Sequence, residues 1–368
     1  NDNRSDSIMA NFIDYCKYYG DKSFSEVPFN DVDALILAEL SYLNFSEVIS
    51  TLPNTIEKVS RTYFNIVTNE KIKSKKNVYK YAHNLLGYVK SSPRFKDIIM
   101  LNYSRVVDTE KQFGAITFSY NDWIYISYEG TNEYMSGWRE DFDLSNKFPV
   151  PSQTLAIHYL NNEAKNHEKI YVGGHSKGGN LAVVAAMETT DDIRQRIVTV
   201  YDFDGPGMRK KEFLSKKYRQ LLPKIKKFTP EVSIIGMLLY SEPNYFVVQS
   251  SMKGILQHHA ISWQCFGSYF IPATQSESSL NFSKATKEFL ENNTEEDIRE
   301  FVASIFAILE KSNITNTETV TIKKILTCIN LVRELPDKSK TKDKLIKLFN
   351  ILLGIYMPKN TITTKKKS

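Results

Sequence analysis

The segment "IYVGGHSKGGNLAVVAAM", residues 170–187, sets one serine among four of the chain's 15 glycines. Gly174-His175-Ser176-Lys177-Gly178 fits the pattern G-x-S-x-G, with a strand-like apolar run before it and a helix-like run after it. A serine at the tip of such a turn needs a strained backbone, and glycine two residues to either side lets strand and helix approach closely. The turn aims a helix N-terminus at the hydroxyl, where backbone N–H groups and the helix dipole stabilise an anion forming on a substrate. The chemistry this predicts is nucleophilic attack by Ser176 on an acyl carbonyl, with Gly174 and Gly178 as structural parts of the elbow. A glycine-rich turn can also cradle phosphate, but this spacing matches neither G-x-x-x-x-G-K-[ST] nor G-x-G-x-x-G.

Such a serine needs a base and an acid, which in this arrangement follow it in the order serine, acid, histidine. Of six histidines only His258 and His259 come after Ser176, in the segment "SSMKGILQHHAISW". His83, His158 and His167 precede it, and the His175 side chain is directed away from the nucleophile's, so packing or surface roles are expected of these four. Two acids compete. Asp204 closes the run "IVTVYDF" and opens "DGPG", at the carboxyl edge of the strand beside the serine's, whereas Glu231 in "FTPEVSIIG" occupies the edge of the next strand. Asp202 alternates with Asp204 and is expected on the opposite face. An aspartate before Gly-Pro is also an ordinary turn cap, so sequence prefers Asp204 only slightly. The oxyanion donors expected are the N–H of Lys177 and that of Thr131, which follows Gly130 in the loop "YISYEGTNEYMSGWREDF".

The elements around these residues fall into three stretches. Residues 1–90 read as a helical segment packed on the core, with apolar residues of "DVDALILAELSYL" at helical spacing. Within 91–272, "DIIMLNYSRVVD", "QFGAITFSY" and "WIYISYEG" read as a meander with a tight turn at Asn121-Asp122. Strand and helix patterns then alternate through "KIYVGG", "NLAVVAAME", "IVTVYDFDG", a basic helical stretch and "NYFVVQS", which predicts a mostly parallel sheet with helices on both faces. Strands are expected to stop after Trp263. Residues 273–368 read as a helical segment ending in a basic tail, in which Thr294 and Asp297 form a capping-box pair before an apolar face. The fold class expected is α/β: an α/β-hydrolase fold with helical N- and C-terminal extensions.

The 368 residues are 42% hydrophobic and 24% charged, with a net charge of +6, which excludes a disordered chain and gives no polycationic arm for nucleic acid. Cys16, Cys265 and Cys328 lie far apart without metal spacing, so neither a disulfide framework nor a metal site is expected, and no cofactor is needed. The first twenty residues hold no hydrophobic signal core and no apolar run reaches membrane-helix length, which predicts a soluble, cytoplasmic protein, with signal-independent secretion left open. The run "MRKKEFLSKKYRQLLPKIKKF" reads as a solvated face or as a contact for an anionic membrane.

With "YEGTNEYMSGWREDF", "GGHSKGGNLA", "YDFDGPG" and "KGILQH", the chain resembles the Mbeg-like bacterial α/β-hydrolases, a family related to the class 3 lipases. Its first part, "MANFIDYCKYYGDKSFSEVPFNDVDALILAELSYL", is similar to the family's N-terminal segment. The resemblance implies Ser176 as nucleophile, His258 rather than His259 as base, and Gly130-Thr131 beside the oxyanion. Lys177 stands where the lipase elbow usually has leucine, and no counterpart of the lipase acid motif Asp-x-Val-Pro occurs. The expectation is a serine hydrolase of carboxylic esters, with acyl lipids as substrates. The alternatives are a peptidase, amidase or thioesterase on the same triad, or a catalytically silent scaffold with a binding role.

Overall fold

A computed structural model describes residues 10–73, 75, 77–108, 111–131, 144–145, 147–314, 320–335 and 341–356. Eight strands form one sheet in consecutive order: β1 (Asn54–Thr55), β2 (Ile99–Val107), β3 (Gln112–Tyr120), β4 (Trp123–Tyr128), β5 (Lys169–His175), β6 (Ile197–Phe203), β7 (Ile225–Pro230) and β8 (Phe246–Val248). The first four pair antiparallel, and from β4 onward every pairing is parallel. Asn121 turns β3 into β4 with φ of 49°, a left-handed conformation asparagine tolerates.

Period-two alternation divides the sheet between two cores. Tyr125, Tyr201 and Phe203 point into one, against the helices α1 (Phe12–Tyr18), α2 (Asp31–Leu40), α3 (Ile56–Ile66) and α4 (Asn77–Val89). Ile124, Ile126, Ile170 and Val172 point into the other, against α5 (Pro151–Glu163) and α6 (Lys177–Glu188). Helix α2 is buried nearly all round and is fixed by a wholly buried ion pair. Arg94 Nη2 lies 2.5 Å from Asp33 Oδ2, and its guanidinium also donates to the carbonyls of Lys22, Val27 and Pro28. Paired and saturated with hydrogen bonds in this way, the two charges tolerate burial.

Beyond β8 the described residues include the long helices α7 (Glu277–Glu291), α8 (Glu295–Lys311), α9 (Ile322–Arg333) and α10 (Lys342–Tyr356). The capping box expected at Thr294 and Asp297 starts α8. Ile305, Leu309, Ile325, Ile329 and Phe349 give this part a hydrophobic cluster of its own. With a mostly parallel sheet covered on both faces and helical extensions at either end, the chain has the α/β-hydrolase fold.

Two expectations need correction. Strands do not stop after Trp263: Cys265–Phe266 and Tyr269–Phe270 pair as a small antiparallel hairpin, turned by Gly267 with φ of +56°. The run 208–228 is not one basic helix but two short helices and β7, and much of its charge is engaged within the fold. Arg209 pairs with Glu212, Lys210 with Glu291, Lys226 with Asp31 and Lys227 with Asp202. The basic tail 357–368 and residues 132–143 of the loop lie outside the described residues. Among the described residues, no helix is long and apolar enough to cross a membrane.

Candidate active site

Ser176 stands between the end of β5 and the first residue of α6, with φ of 58° and ψ of −132°. A non-glycine residue with positive φ is strained, and here the surrounding packing enforces it. A Cβ on Gly178 would come within 2.1 Å of the Tyr128 carbonyl oxygen, and one on Gly174 within 2.4 Å of the Gly178 backbone. The two glycines of the motif are therefore in van der Waals contact with each other's surroundings and leave no room for a side chain. The Ser176 N–H donates to Phe203 O at 2.8 Å, which clips the elbow to the end of β6.

The structure brings Ser176, His258 and Asp204 into one hydrogen-bonded chain. His258 Nε2 lies 3.0 Å from Ser176 Oγ, and its Nδ1 lies 2.6 Å from Asp204 Oδ2. A carboxylate can only accept, so Nδ1 carries the hydrogen and Nε2 presents its lone pair to the serine hydroxyl. Asp204 is fully buried, and its other oxygen accepts from the Ser233 hydroxyl at 2.6 Å. Its φ of 53° turns the chain out of β6 and aims the carboxylate at the histidine. Glu231 is not in this chain; its carboxylate accepts the Ser250 N–H at 3.4 Å. Asp202 faces away as expected, binding Lys227 Nζ at 2.7 Å and the Gly205 N–H at 2.8 Å.

The loop carrying His258 is held at several points. A bridge between Ser250 and Trp263 closes its base, and the indole N–H of Trp263 donates to Gln257 O at 2.9 Å. His175 Nε2 donates to the carbonyl of His258 itself at 2.8 Å. The elbow histidine thus faces away from Ser176 but anchors the loop that carries His258, a contact that the sequence did not reveal. Its Nδ1 then accepts, and the Tyr42 hydroxyl supplies the donor at 2.9 Å. Glu39 Oε1 approaches the same nitrogen at 3.2 Å. Burial pushes the Glu39 carboxyl up to about 8 and holds the His175 imidazole well below its usual range, so at neutral pH the contact joins two uncharged groups. Burial, with the nearby His258, lowers His259 to about 4, so it stays neutral as well. His83 is buried against Asn69, while His158 is exposed.

Lys177 begins α6, which puts its N–H at the helix N-terminus beside Ser176. Its side chain is buried, and Nζ donates to Gln112 O at 2.9 Å. This explains a lysine in a position that suits an apolar residue: the stem packs inward and the ammonium ends on a backbone carbonyl. Thr131 lines the same cavity as Ser176 and His258. Gln112 Nε2 donates to Gly130 O at 3.2 Å, which fixes the peptide plane before Thr131 and so the direction of the Thr131 N–H. Among the described residues, no cluster of His, Cys, Asp and Glu could hold a metal ion.

Fold and site together define a protein of the α/β-hydrolase class. The Mbeg1-like family model matches residues 89–307, and the chain belongs to that family. Solved structures with similar folds include M37 lipase, at 14% identity over 55% of this chain and 67% of that one, with a TM-score of 0.33. A lipase from Rhizopus microsporus var. chinensis is 15% identical over 68% of this chain and 81% of its own, with a TM-score of 0.36. The Rhizomucor miehei lipase propeptide complex is 12% identical over 59% of this chain and 67% of its own, with a TM-score of 0.34. Likenesses this distant carry no argument about activity. A comparison with curated protein sequences gives no significant match.

Proposed function

We propose that the chain is a serine hydrolase of carboxylic esters, with acyl lipids as its substrates. The observation that carries this reading is the chain Ser176–His258–Asp204 opening into an apolar cavity. His258 Nε2 would take the serine proton as Oγ attacks the acyl carbonyl, and the buried Asp204 carboxylate would stabilise the imidazolium that forms. The amides of Lys177 and Thr131 would hold the oxyanion. The imidazolium would then protonate the leaving alcohol, and water activated by the same histidine would release the acyl group from Ser176.

Apolar walls around the nucleophile favour an acyl ester or thioester over a peptide, whose flanking amides would lose their hydrogen bonds to water there. A contact with anionic membrane remains part of the proposal only for the lysines of residues 208–228 that point to solvent. The test is labelling of wild type and Ser176→Ala with a fluorophosphonate, alongside hydrolysis of p-nitrophenyl acyl esters. Labelling and turnover that vanish in Ser176→Ala are expected; folded wild type that neither labels nor turns over, with or without lipid micelles, would make the chain a silent scaffold.

A further inference from the structure

The cavity that begins at Ser176, His258 and Thr131 has a volume of about 240 Å³ and runs away from the sheet into the C-terminal helices. Its two ends differ in chemistry. The reacting groups and the Tyr42 and His175 side chains lie at one end. Phe301, Ile305 and Leu309 of α8, Ile325 of α9, and Phe349 and Leu352 of α10 line the other. Phe301, Ile305 and Leu309 stand four residues apart, so they form one stripe along α8, and Phe349 and Leu352 form a matching one on α10. These stripes do face inward, yet they stop short of filling the space between them. A void walled by apolar side chains forfeits packing that slightly larger residues would recover. Here it lies end-on to a nucleophile.

We infer that helices α8, α9 and α10 form the receptor for the acyl chain of the substrate, placing the ester carbonyl at Ser176 and the hydrocarbon tail among Leu309, Ile325 and Phe349. The inference rests on the hydrolase reading and names what that site selects: a long, unbranched acyl group, chosen by the depth of a pocket that the C-terminal helices supply. The complementarity is one of polarity along a line, since a fatty acyl ester is polar at one end and apolar along the rest. The lining that the C-terminal helices contribute is apolar, so tail length rather than leaving-group polarity is what the helices would read.

The experiment has two readouts. The first is hydrolysis of p-nitrophenyl acetate, octanoate and palmitate by wild type, Ile325→Trp and Val320→Phe, each checked for folding by circular dichroism and thermal melting. The second, independent of catalysis, is binding of a dansylated undecanoic acid to Ser176→Ala with and without the same substitutions. Ile325 is fully buried, so its replacement could disturb the fold; Val320 is partly exposed at the cavity wall and accepts a larger side chain more readily.

The expected result is that filling the pocket lowers the ratio of kcat/KM for palmitate to that for acetate by about tenfold or more, the scale of a few lost methylene contacts, and weakens the dansylated acid in parallel. Hydrolysis of acetate with no chain-length preference, or with no change in either folded variant, would overturn the acyl receptor and leave the hydrolase standing. Binding that the substitutions weaken, in a protein that hydrolyses no ester, would support the receptor and sink the hydrolase. Absence of both binding and hydrolysis in folded protein would overturn both.

Discussion

Replacing Asp204 by asparagine separates the charge of the acid from its geometry. The residue sits at φ of 53°, a region asparagine enters readily, so the backbone should keep its path. Its two oxygens face different partners, His258 Nδ1 at 2.6 Å and the Ser233 hydroxyl at 2.6 Å. A hydroxyl can accept as well as donate, so the new amide can turn its NH₂ to Ser233 and keep its oxygen toward the imidazole N–H. The tautomer of His258 then survives, and only the stabilisation of the imidazolium in the transition state is lost. Two unit charges about 4 Å apart at an effective dielectric near 20 interact by about 4 kcal/mol, which corresponds to roughly three powers of ten in rate. The assay is kcat on a short p-nitrophenyl ester with the rate of fluorophosphonate labelling, for Asp204→Asn, Glu231→Gln and Asp202→Asn. Asp204→Asn should lose about 10³ in both, with an unchanged melting temperature. Glu231→Gln should keep the wild-type rates, and Asp202→Asn, which strands the buried Lys227 ammonium, should lose stability but not activity per folded molecule. A loss below about tenfold in Asp204→Asn, or a larger loss in Glu231→Gln, would refute the assignment of the acid.

Two further outcomes follow from buried groups. The Glu39 carboxyl, raised to about 8 in the fold from an ordinary value of 4.5, binds its proton more tightly folded than unfolded. Its share of stability is therefore fully present below about pH 4.5 and lost progressively toward pH 8, by up to about 1.4 kcal/mol per pH unit. Glu39→Gln should remove that slope, so urea unfolding at pH 5 and pH 7 should show the variant gaining on wild type as pH rises. Equal slopes would mean that the carboxyl is ionised in the fold. Gln112→Met breaks the hold on the Gly130 carbonyl; with the Thr131 N–H loosened but that of Lys177 in place, kcat should fall about tenfold at constant KM. A change in KM alone would assign Gln112 to substrate binding instead.

What could be read from the sequence was whatever the backbone itself demands. The elbow was legible because its strained serine needs glycine at 174 and 178, and the two sheet faces because alternation and helical spacing are periodic. The acid was legible only to a choice of two. Asp204 and Glu231 both end strands, and what decides between them is a left-handed residue just past β6, which no pattern announces. Tyr42, Glu39, Gln112 and Ser233 are single polar residues in apolar surroundings, and what gives them a role is a partner 18 to 136 residues away. The hairpin at Cys265–Phe270 was missed because its strands are two residues long and its Phe266 and Tyr269 face solvent, so they carry no burial signal. The cavity is invisible in sequence for a different reason: an apolar stripe looks the same whether its neighbours fill the space before it or not.

The sheet adds its strands in the order in which they are synthesised, and the three members of the site arrive in that same order. Ser176 follows β5, Asp204 follows β6, and His258 comes 82 residues after the serine. On a ribosome making roughly 5–20 residues per second, the elbow can exist for roughly 4–16 s before the histidine that would deprotonate it has been made. During that interval Ser176 is an ordinary alcohol on a growing sheet, and the apolar wall before it has nothing to enclose. For the proposed hydrolase, reactivity comes with the loop held by His175 and Trp263, and enclosure with helices α8, α9 and α10, so the serine is built first and armed late.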